Sequence, residues 1–398
     1  MEVQRPAQAR LTSAALALSL LLTAFAATAG AAPGCTAVAL PCRTVWTAEF
    51  TDVAPVYGHG DFNGDGVDDL LLLRNGALWF SYGSASQVPT VVAMSAVRVM
   101  RTGEMQRAIA GTEPVIGDFD GDGRDDVLWA TATGAAVDNG QIWFGTAEIG
   151  AFRGAPAAWT QHDPSAFWTV GDFDGDGGDD VLWYRESTGE LLLQLLDGDQ
   201  QGLQARPFPD RLTARLRVLP GDFDGNGTTD VLYYDTRTGH ASAWFFLAGG
   251  AIVGRDLDHG AGYRPVVGDF DGDGRDDVLW HGPGALVDAY WFGAPEGAFR
   301  GAPLEVGDGS WFPVAADFDG DGRDDVLWWD GGPGPDVLAL TRTSGAFGIG
   351  VDIGAVSQIT LADVDGDGAT DALFSGVYDA ENRPTTWALW WLSGPSAS

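Results

Sequence analysis

Lysine is absent from this chain. All 22 basic residues among its 398 are arginine, against 56 acidic residues, which leaves a formal net charge of −34. The missing lysine reads as coding bias rather than function. The shortage of positive charge does exclude nucleic acid as a partner, because such a surface repels phosphate. Histidine is scarce too. His59, His162, His240, His259 and His281 share no metal or triad spacing, and no nucleophile motif accompanies them. An enzyme needs non-repeated acids, bases or histidines that converge, and none is legible here. Beyond the N-terminal region no apolar run approaches the roughly 18 residues of a membrane span, so no transmembrane anchor is expected. Helical periodicity of useful length is also missing. Cysteine occurs only as Cys35 and Cys42.

What the chain has in abundance is one motif. Asp118-Phe119-Asp120-Gly121-Asp122-Gly123-Arg124-Asp125-Asp126-Val127-Leu128-Trp129 has seven versions, starting at Asp61, Asp118, Asp172, Asp222, Asp269, Asp317 and Asp363. The intervals shorten from 57 to 46 residues, the period of a repeat architecture. With the first Asp as position 1, oxygen-bearing side chains fall at positions 1, 3, 5 and 9. These are Asp61, Asn63, Asp65 and Asp69, then Asp118, Asp120, Asp122 and Asp126, then Asp172, Asp174, Asp176 and Asp180. The fourth and fifth sets are Asp222, Asp224, Asn226 and Asp230, and Asp269, Asp271, Asp273 and Asp277. Asp317, Asp319, Asp321 and Asp325, with Asp363, Asp365, Asp367 and Asp371, complete the series. Glycines at positions 4 and 6 supply the positive φ that a tight turn needs.

Alternate carboxylates in such a turn converge on one point, and an all-oxygen set suits Ca²⁺ better than Mg²⁺. Position 7 varies (Val67, Arg124, Gly178, Thr228, Arg275, Arg323, Ala369), as expected if it offers only its backbone carbonyl. Asn63 and Asn226 keep an oxygen, so weaker binding is expected there rather than none. An EF-hand would need a bidentate Glu at position 12 and flanking helices. Position 12 is instead Leu72, Trp129, Trp183, Tyr233, Trp280, Trp328 and Phe374, and positions 10 to 12 read as the start of a buried strand. The loops hold 26 carboxylates at ligand positions, and five more acids (Asp68, Asp125, Asp179, Asp276, Asp324) stand at position 8. Up to seven calcium ions would relieve much of that self-repulsion and bring the charge to about −20.

Residues 1–29 read as a secretory signal, with Arg5 and Arg10 before an apolar run and Ala27-Thr28-Ala29 as the cleavage site. Residues 30–42 form a short segment in which Cys35 and Cys42 are expected to make a local disulfide, as export permits. Residues 43–398 carry the repeats. In each, a short apolar strand (Val115-Ile116, Thr169-Val170, Val266-Val267) enters the loop and the Val-Leu-Trp strand leaves it. A Gly-containing turn leads to an aromatic third strand, such as Ile142-Trp143-Phe144 or Tyr290-Trp291-Phe292, and a weaker fourth strand follows. The fold class expected is all-β, a seven-bladed propeller of four-stranded antiparallel blades. The last repeat lacks a fourth strand, so residues 43–50 are expected to pair with 387–392 and close the ring, leaving no open sheet edge.

Tryptophans at repeated positions read as blade packing. Trp159, Trp168 and Trp311 fall outside those positions and are the better candidates for a ligand surface. Ser84 to Glu113 holds Met94, Met100 and Met105 with Arg98, Arg101 and Arg107, a local basic patch. Gly-Ala-Phe-Arg-Gly-Ala-Pro occurs twice, at 150–156 and 297–303, and as a duplicate it reads as structural.

The Gly-Asp-Phe-Asp-Gly-Asp-Gly-Arg-Asp-Asp-Val-Leu-Trp run, with Phe144-Gly145 and Phe292-Gly293-Ala294-Pro295, resembles the FG-GAP and VCBS repeats of secreted bacterial proteins and of the integrin α-subunit head. The resemblance implies a seven-bladed propeller with Ca²⁺ held between the first two strands of each blade. It also implies a role in adhesion or ligand recognition. The integrin-like loops carry Ca²⁺ in only some blades, whereas every repeat here has the ligands. The function expected is a secreted (extracellular, periplasmic or cell-surface), monomeric, calcium-binding module for an extracellular glycan or protein. A propeller-based polysaccharide lyase or hydrolase and a structural subunit of a surface assembly are the alternatives.

Overall fold

The computed structural model describes residues 56–74, 77–83, 114–129, 141–148, 151–156, 166–185, 190–196, 204–207, 216–247, 251–284, 286–304, 311–330, 336–342, 347–351, 358–375, 377–378 and 384–386. Every regular element among them is a strand. β1 (Val56–Gly60), β2 (Asp69–Arg74) and β3 (Ala77–Ser81) form a three-stranded sheet. The next sheet is β4 (Pro114–Gly117), β5 (Asp126–Trp129), β6 (Gln141–Phe144) and β7 (Arg153–Pro156). It is followed by β8 (Ala166–Gly171), β9 (Asp180–Arg185), β10 (Glu190–Leu195) and β11 (Gln204–Pro207). The fourth sheet is β12 (Leu216–Gly221), β13 (Asp230–Asp235), β14 (His240–Leu247) and β15 (Ala251–Asp258). The fifth is β16 (Arg264–Gly268), β17 (Asp277–His281), β18 (Asp288–Ala294) and β19 (Ala298–Leu304). β20 (Phe312–Ala316), β21 (Asp325–Trp329), β22 (Asp336–Leu340) and β23 (Phe347–Val351) make the sixth. β24 (Gln358–Ala362) pairs with β25 (Asp371–Ser375), and β26 (Val377–Tyr378) with β27 (Pro384–Thr386). All pairings are antiparallel between strands that are neighbours in sequence, the up-and-down order of a propeller blade.

The second strand of each sheet is the innermost in packing terms. β5, β13 and β17 are buried along their whole length, because neighbouring sheets cover both faces. That is why the sequence there is a continuous apolar run rather than an alternating one. The fourth strand β19 is largely exposed, as an outer edge should be. Phe62, Leu71 and Phe80 of one sheet share a cluster with Val127, Trp129 and Trp143 of the next, and Tyr234 and Phe245 likewise meet Val278 and Trp280. The repeated aromatics pack edge to face within a sheet. Trp129–Trp143, Tyr233–Trp244 and Trp280–Trp291 each have ring centroids 5.0 Å apart. Position 12 therefore carries core aromatics, as the sequence implies.

The loops between first and second strands are tied into a closed ring. The N–H at position 8 of each loop donates to the position-1 carbonyl of the loop before it. The donors Asp125, Asp179, Thr229, Asp276, Asp324 and Thr370 reach Asp61, Asp118, Asp172, Asp222, Asp269 and Asp317, and Asp68 reaches back to Asp363, all at 2.7–2.9 Å. Where position 8 is Asp, the link is reciprocal. Asp61 N–H donates to Asp125 Oδ2 at 2.8 Å, and Asp363 N–H donates to Asp68 Oδ2 at 2.9 Å. At that seam β1 lies against β24, and Leu70 packs with Ala362, Val364 and Leu373.

The architecture is an all-β propeller, but five sheets are complete four-stranded blades among the described residues, not the seven expected. The first sheet has three strands, and residues 84–113, which follow it, lie outside the described residues. The sheet of β24 and β25 has two, and residues 43–50 and 387–392, whose pairing was expected to close the ring, lie outside the described residues as well. The signal segment, Cys35, Cys42 and the methionine-arginine patch also fall there.

The Phe-Gly pair at the end of a third strand has a steric cause. A Cβ on Gly293 would lie 2.5 Å from the carbonyl oxygens of both Asp276 and Phe223, and one on Gly145 2.6 Å from that of Phe62. The third strand thus abuts the loop of the preceding blade by backbone alone. Gly293→Ala is expected to cost about 3 kcal/mol through forced backbone shift, seen as a lower midpoint in urea. A wild-type midpoint would contradict this packing.

Candidate metal centres

Each loop is wound by its own carboxylates. Asp61 Oδ1 accepts from the N–H groups of Gly64 (2.7 Å) and Asp65 (3.1 Å), and Oδ2 from Gly66 (2.7 Å). The aspartates at 172, 222, 269, 317 and 363 repeat the pattern. Asp118 accepts from Asp122 and Gly123. Position 5 accepts from the N–H of position 7, as Asp122 does from Arg124 at 3.1 Å. The glycines at positions 4 and 6 all have positive φ, between 67° and 93°, the conformation this winding requires.

Position 9 sits at the floor. Asp126 accepts from Phe119 N–H through Oδ2 (2.9 Å) and from Gly145 N–H through Oδ1 (2.8 Å), which ties the loop to the third strand. Asp180, Asp230, Asp277 and Asp325 make the same two bonds, to Phe173 and Leu196, Phe223 and Phe246, Phe270 and Gly293, and Phe318 and Thr341. All seven position-9 side chains are buried.

Position 3 differs from the rest. Oδ1 of Asp120, Asp224, Asp271 and Asp319 is buried and accepts no hydrogen bond. A buried carboxylate oxygen left so is costly unless a cation meets it. Oxygens of positions 1, 3 and 5 come within 4.8 Å of one another at Asp118, Asp120 and Asp122, and at Asp269, Asp271 and Asp273. Positions 1, 3 and 9 do so at Asp172, Asp174 and Asp180, at Asp222, Asp224 and Asp230, and at Asp317, Asp319 and Asp325. Such a hard, all-oxygen set of several carboxylates fits Ca²⁺. The two asparagines fit the same frame. Asn63 Nδ2 donates to Asp69 Oδ2 at 3.3 Å, while Asn226 turns Nδ2 to Phe246 O (2.8 Å) and Oδ1 to Thr228 N–H (2.7 Å). At position 7, Val67, Thr228 and Ala369 are buried against the sheets, whereas Arg124, Arg275 and Arg323 lie partly exposed over the loops.

Burial, reinforced by neighbouring loop carboxylates, pushes position 9 far above the usual carboxylate range. It reaches about 7 at Asp277 and Asp325, about 8 at Asp69, Asp126, Asp180 and Asp230, and about 9 at Asp371. At position 8, burial raises Asp125 and Asp324 to about 6.

Several residues take places that sequence pattern alone does not assign. Position 8 is the link between loops, and only its small acceptor side chains (five Asp, two Thr) hint at that. Trp168 packs against a buried cluster and its ring lies 5.8 Å from Trp183. Trp311 likewise lies half-buried against the core of its own blade; Trp159 lies outside the described residues. His281 is fully buried, with Nδ1 2.9 Å from Asp288 Oδ1, and His259 stacks at 4.2 Å on Trp280.

A β-propeller whose repeated acidic loops link blade to blade is the class that fold and site define. Residues 172–233 and 269–328 match the FG-GAP-like repeat, and residues 110–144 match the FG-GAP repeat. The chain thus carries FG-GAP and FG-GAP-like repeats in these stretches. No curated protein matches it in sequence. Among solved structures it is similar to a lectin of Agrocybe aegerita, described as recognising non-reducing terminal N-acetylglucosamine. The two are 17% identical with a TM-score of 0.57, over 88% of this chain and 92% of that one. It is also similar to part of the Tc holotoxin pore of Photorhabdus luminescens, at 18% identity and a TM-score of 0.45, over 70% of this chain and 14% of that one. At these identities the likeness to the lectin shows the fold alone.

Two outcomes test the floor residue. Asp126→Ala strands two buried N–H donors and is expected to cost about 2–4 kcal/mol in denaturant unfolding; a loss within measurement error would contradict its role. Because position 9 is raised in the folded state above its unfolded value of 3.8, protonation stabilises the metal-free fold fully below about pH 4. That contribution is lost as pH rises through 7 to 9. The chelated protein should melt lower at pH 9 than at pH 5, and calcium addition at pH 7 should release protons. Equal calorimetric heats in buffers of different ionisation enthalpy would contradict this.

Proposed function

We propose that the chain is a secreted, calcium-stapled, seven-bladed propeller that serves as a binding or adhesion module. The observation that carries the metal assignment is the buried, unbonded position-3 oxygen that recurs in loop after loop. In each loop the side chains at positions 1, 3, 5 and 9, with the backbone carbonyl at position 7, hold the cation. The cation takes the place of the protons that position 9 otherwise holds. Seven sites that bind only the folded chain, each at ten times its Kd, would add roughly 10 kcal/mol. Dissociation constants of about 10⁻⁴–10⁻³ M suit calcium-rich surroundings outside the cell.

The repeated residues are absorbed in folding, so recognition falls to residues that do not repeat. The likeness in fold to the Agrocybe aegerita lectin makes a glycan the first ligand to test, with an extracellular protein second. Chelation should lower the melting temperature by more than 10 °C and abolish binding on a glycan array. An unchanged melting curve would remove the metal's structural role. Retained turnover of a polysaccharide, with no stable binding, would move the protein to the enzymes.

A further inference from the structure

The first strands of neighbouring blades touch around the ring, β12 with β16 and β16 with β20, so these strands line its axis. Each runs into its acidic loop. The other end of each therefore opens on the opposite face, about 16 Å away for a five-residue strand. Arg217, Arg264 and Phe312 each stand five residues before the first aspartate of their loops, so they share one level on three successive blades. Arg264 joins the three. Its guanidinium lies 4.1 Å over the Phe312 ring, and its Nη1 donates to Trp311 O. Phe312 in turn lies 5.8 Å from Trp329, its partner across β20 and β21. Arg217 is exposed. Burial, and then the like charge of Arg217, lower the pKa of Arg264.

Among the described residues, the large apolar side chains left exposed fall in two places. Leu247, Ile252 and Val253 belong to the β14–β15 hairpin. Leu286, Val287 and Phe312, the last 38% exposed, lie on the face away from the acidic loops, where β17 turns into β18 and β20 begins. A Cβ on Gly262 would lie 3.5 Å from Leu286, which sets that turn beside the start of β16. Three acids at this end are already engaged. Asp235, Asp288 and Asp336 are buried and accept from the N–H groups of Arg237, Gly282 and Asp330. The face thus sets two arginines beside an exposed aromatic and aliphatic surface.

The geometry points to Arg217, Arg264 and Phe312 as a binding site for an acidic glycan, a sugar ring that carries a carboxylate. The inference rests on the glycan-binding reading above and gives it a sugar class and a place. Exposed Arg217 supplies a planar fork that matches a carboxylate at two points. Arg264, held by its stacking and its bond to Trp311, contributes fixed positive charge between the fork and the ring. The C–H face of the sugar covers Phe312. An acidic peptide offers the carboxylate without a rigid apolar face for that ring, which favours the sugar. The acidic loops stand farther off than the Debye length of about 8 Å at physiological salt, so they do not cancel the attraction here.

The test is calorimetric titration of the full chain with a galacturonic acid trimer and with the neutral galactose trimer. The wild type should bind the acidic trimer roughly tenfold more tightly, and less tightly as salt rises. Arg217→Glu and Phe312→Ala should each weaken that binding roughly tenfold. Arg255→Glu, the same charge change on the outer strand β15, should leave it unchanged. Phe312→Leu keeps bulk while removing the aromatic face, and replaces the alanine variant if that fails to fold. No preference for the acidic trimer, or wild-type binding in Arg217→Glu, overturns the site and leaves the glycan reading intact. A tri-glutamate peptide bound more tightly than the sugar, with no loss in Phe312→Ala, overturns it in favour of an acidic protein segment. A wild type that binds no sugar on a glycan array removes both.

Discussion

Like charge brought to one point is the constraint on which this protein turns. Each loop gathers three or four carboxylates, and Oδ1 of Asp120, Asp224, Asp271 and Asp319 is left buried without a hydrogen-bond donor. In water such a cluster would splay. The fold resists by using the same carboxylates as backbone acceptors. Position 1 winds the loop, position 5 holds its exit and position 9 fastens it to the third strand. The carboxylates therefore converge because the backbone needs them where they are, and the cation proposed above would complete an arrangement already wound around its place.

The loops also carry the contact between blades. The reciprocal bonds between position 8 and the preceding position 1 run along the ring and return from Asp68 to Asp363. A propeller blade exposes few long-range backbone pairings, because each sheet is local in sequence. Here the loop ring supplies them, while Phe62, Phe223 and their equivalents fill the wedge beneath. Glycine at the end of the third strand belongs to the same junction, since only its lack of a side chain lets strand and neighbouring loop meet. Acidic loop, inter-blade packing and ring closure are thus one structural unit repeated around the axis.

Much of this was legible in the sequence, because a repeat displays its constraints several times. Alternating acids with glycines at positions 4 and 6 point to a wound loop, and aromatic position 12 points to a core strand. Position 8 was not legible as a link, since a hydrogen bond between residues 54 to 64 apart leaves no local pattern. Trp168 and Trp311 break the repeat in sequence yet pack on the core, because irregular spacing does not specify which way a side chain faces. The patch at Arg217, Arg264 and Phe312 was hidden for a related reason. The three lie far apart in sequence, and only the ring brings the strands that carry them side by side.

A crystal structure of the calcium-loaded chain, with ions located by anomalous scattering, tests the central claim most directly. The account predicts an ion in each of the seven loops, about 2.3–2.6 Å from the position-3 oxygen, with the ring of inter-loop bonds intact. Loops without ions in millimolar calcium, with the position-3 oxygens satisfied by protein donors instead, would contradict it.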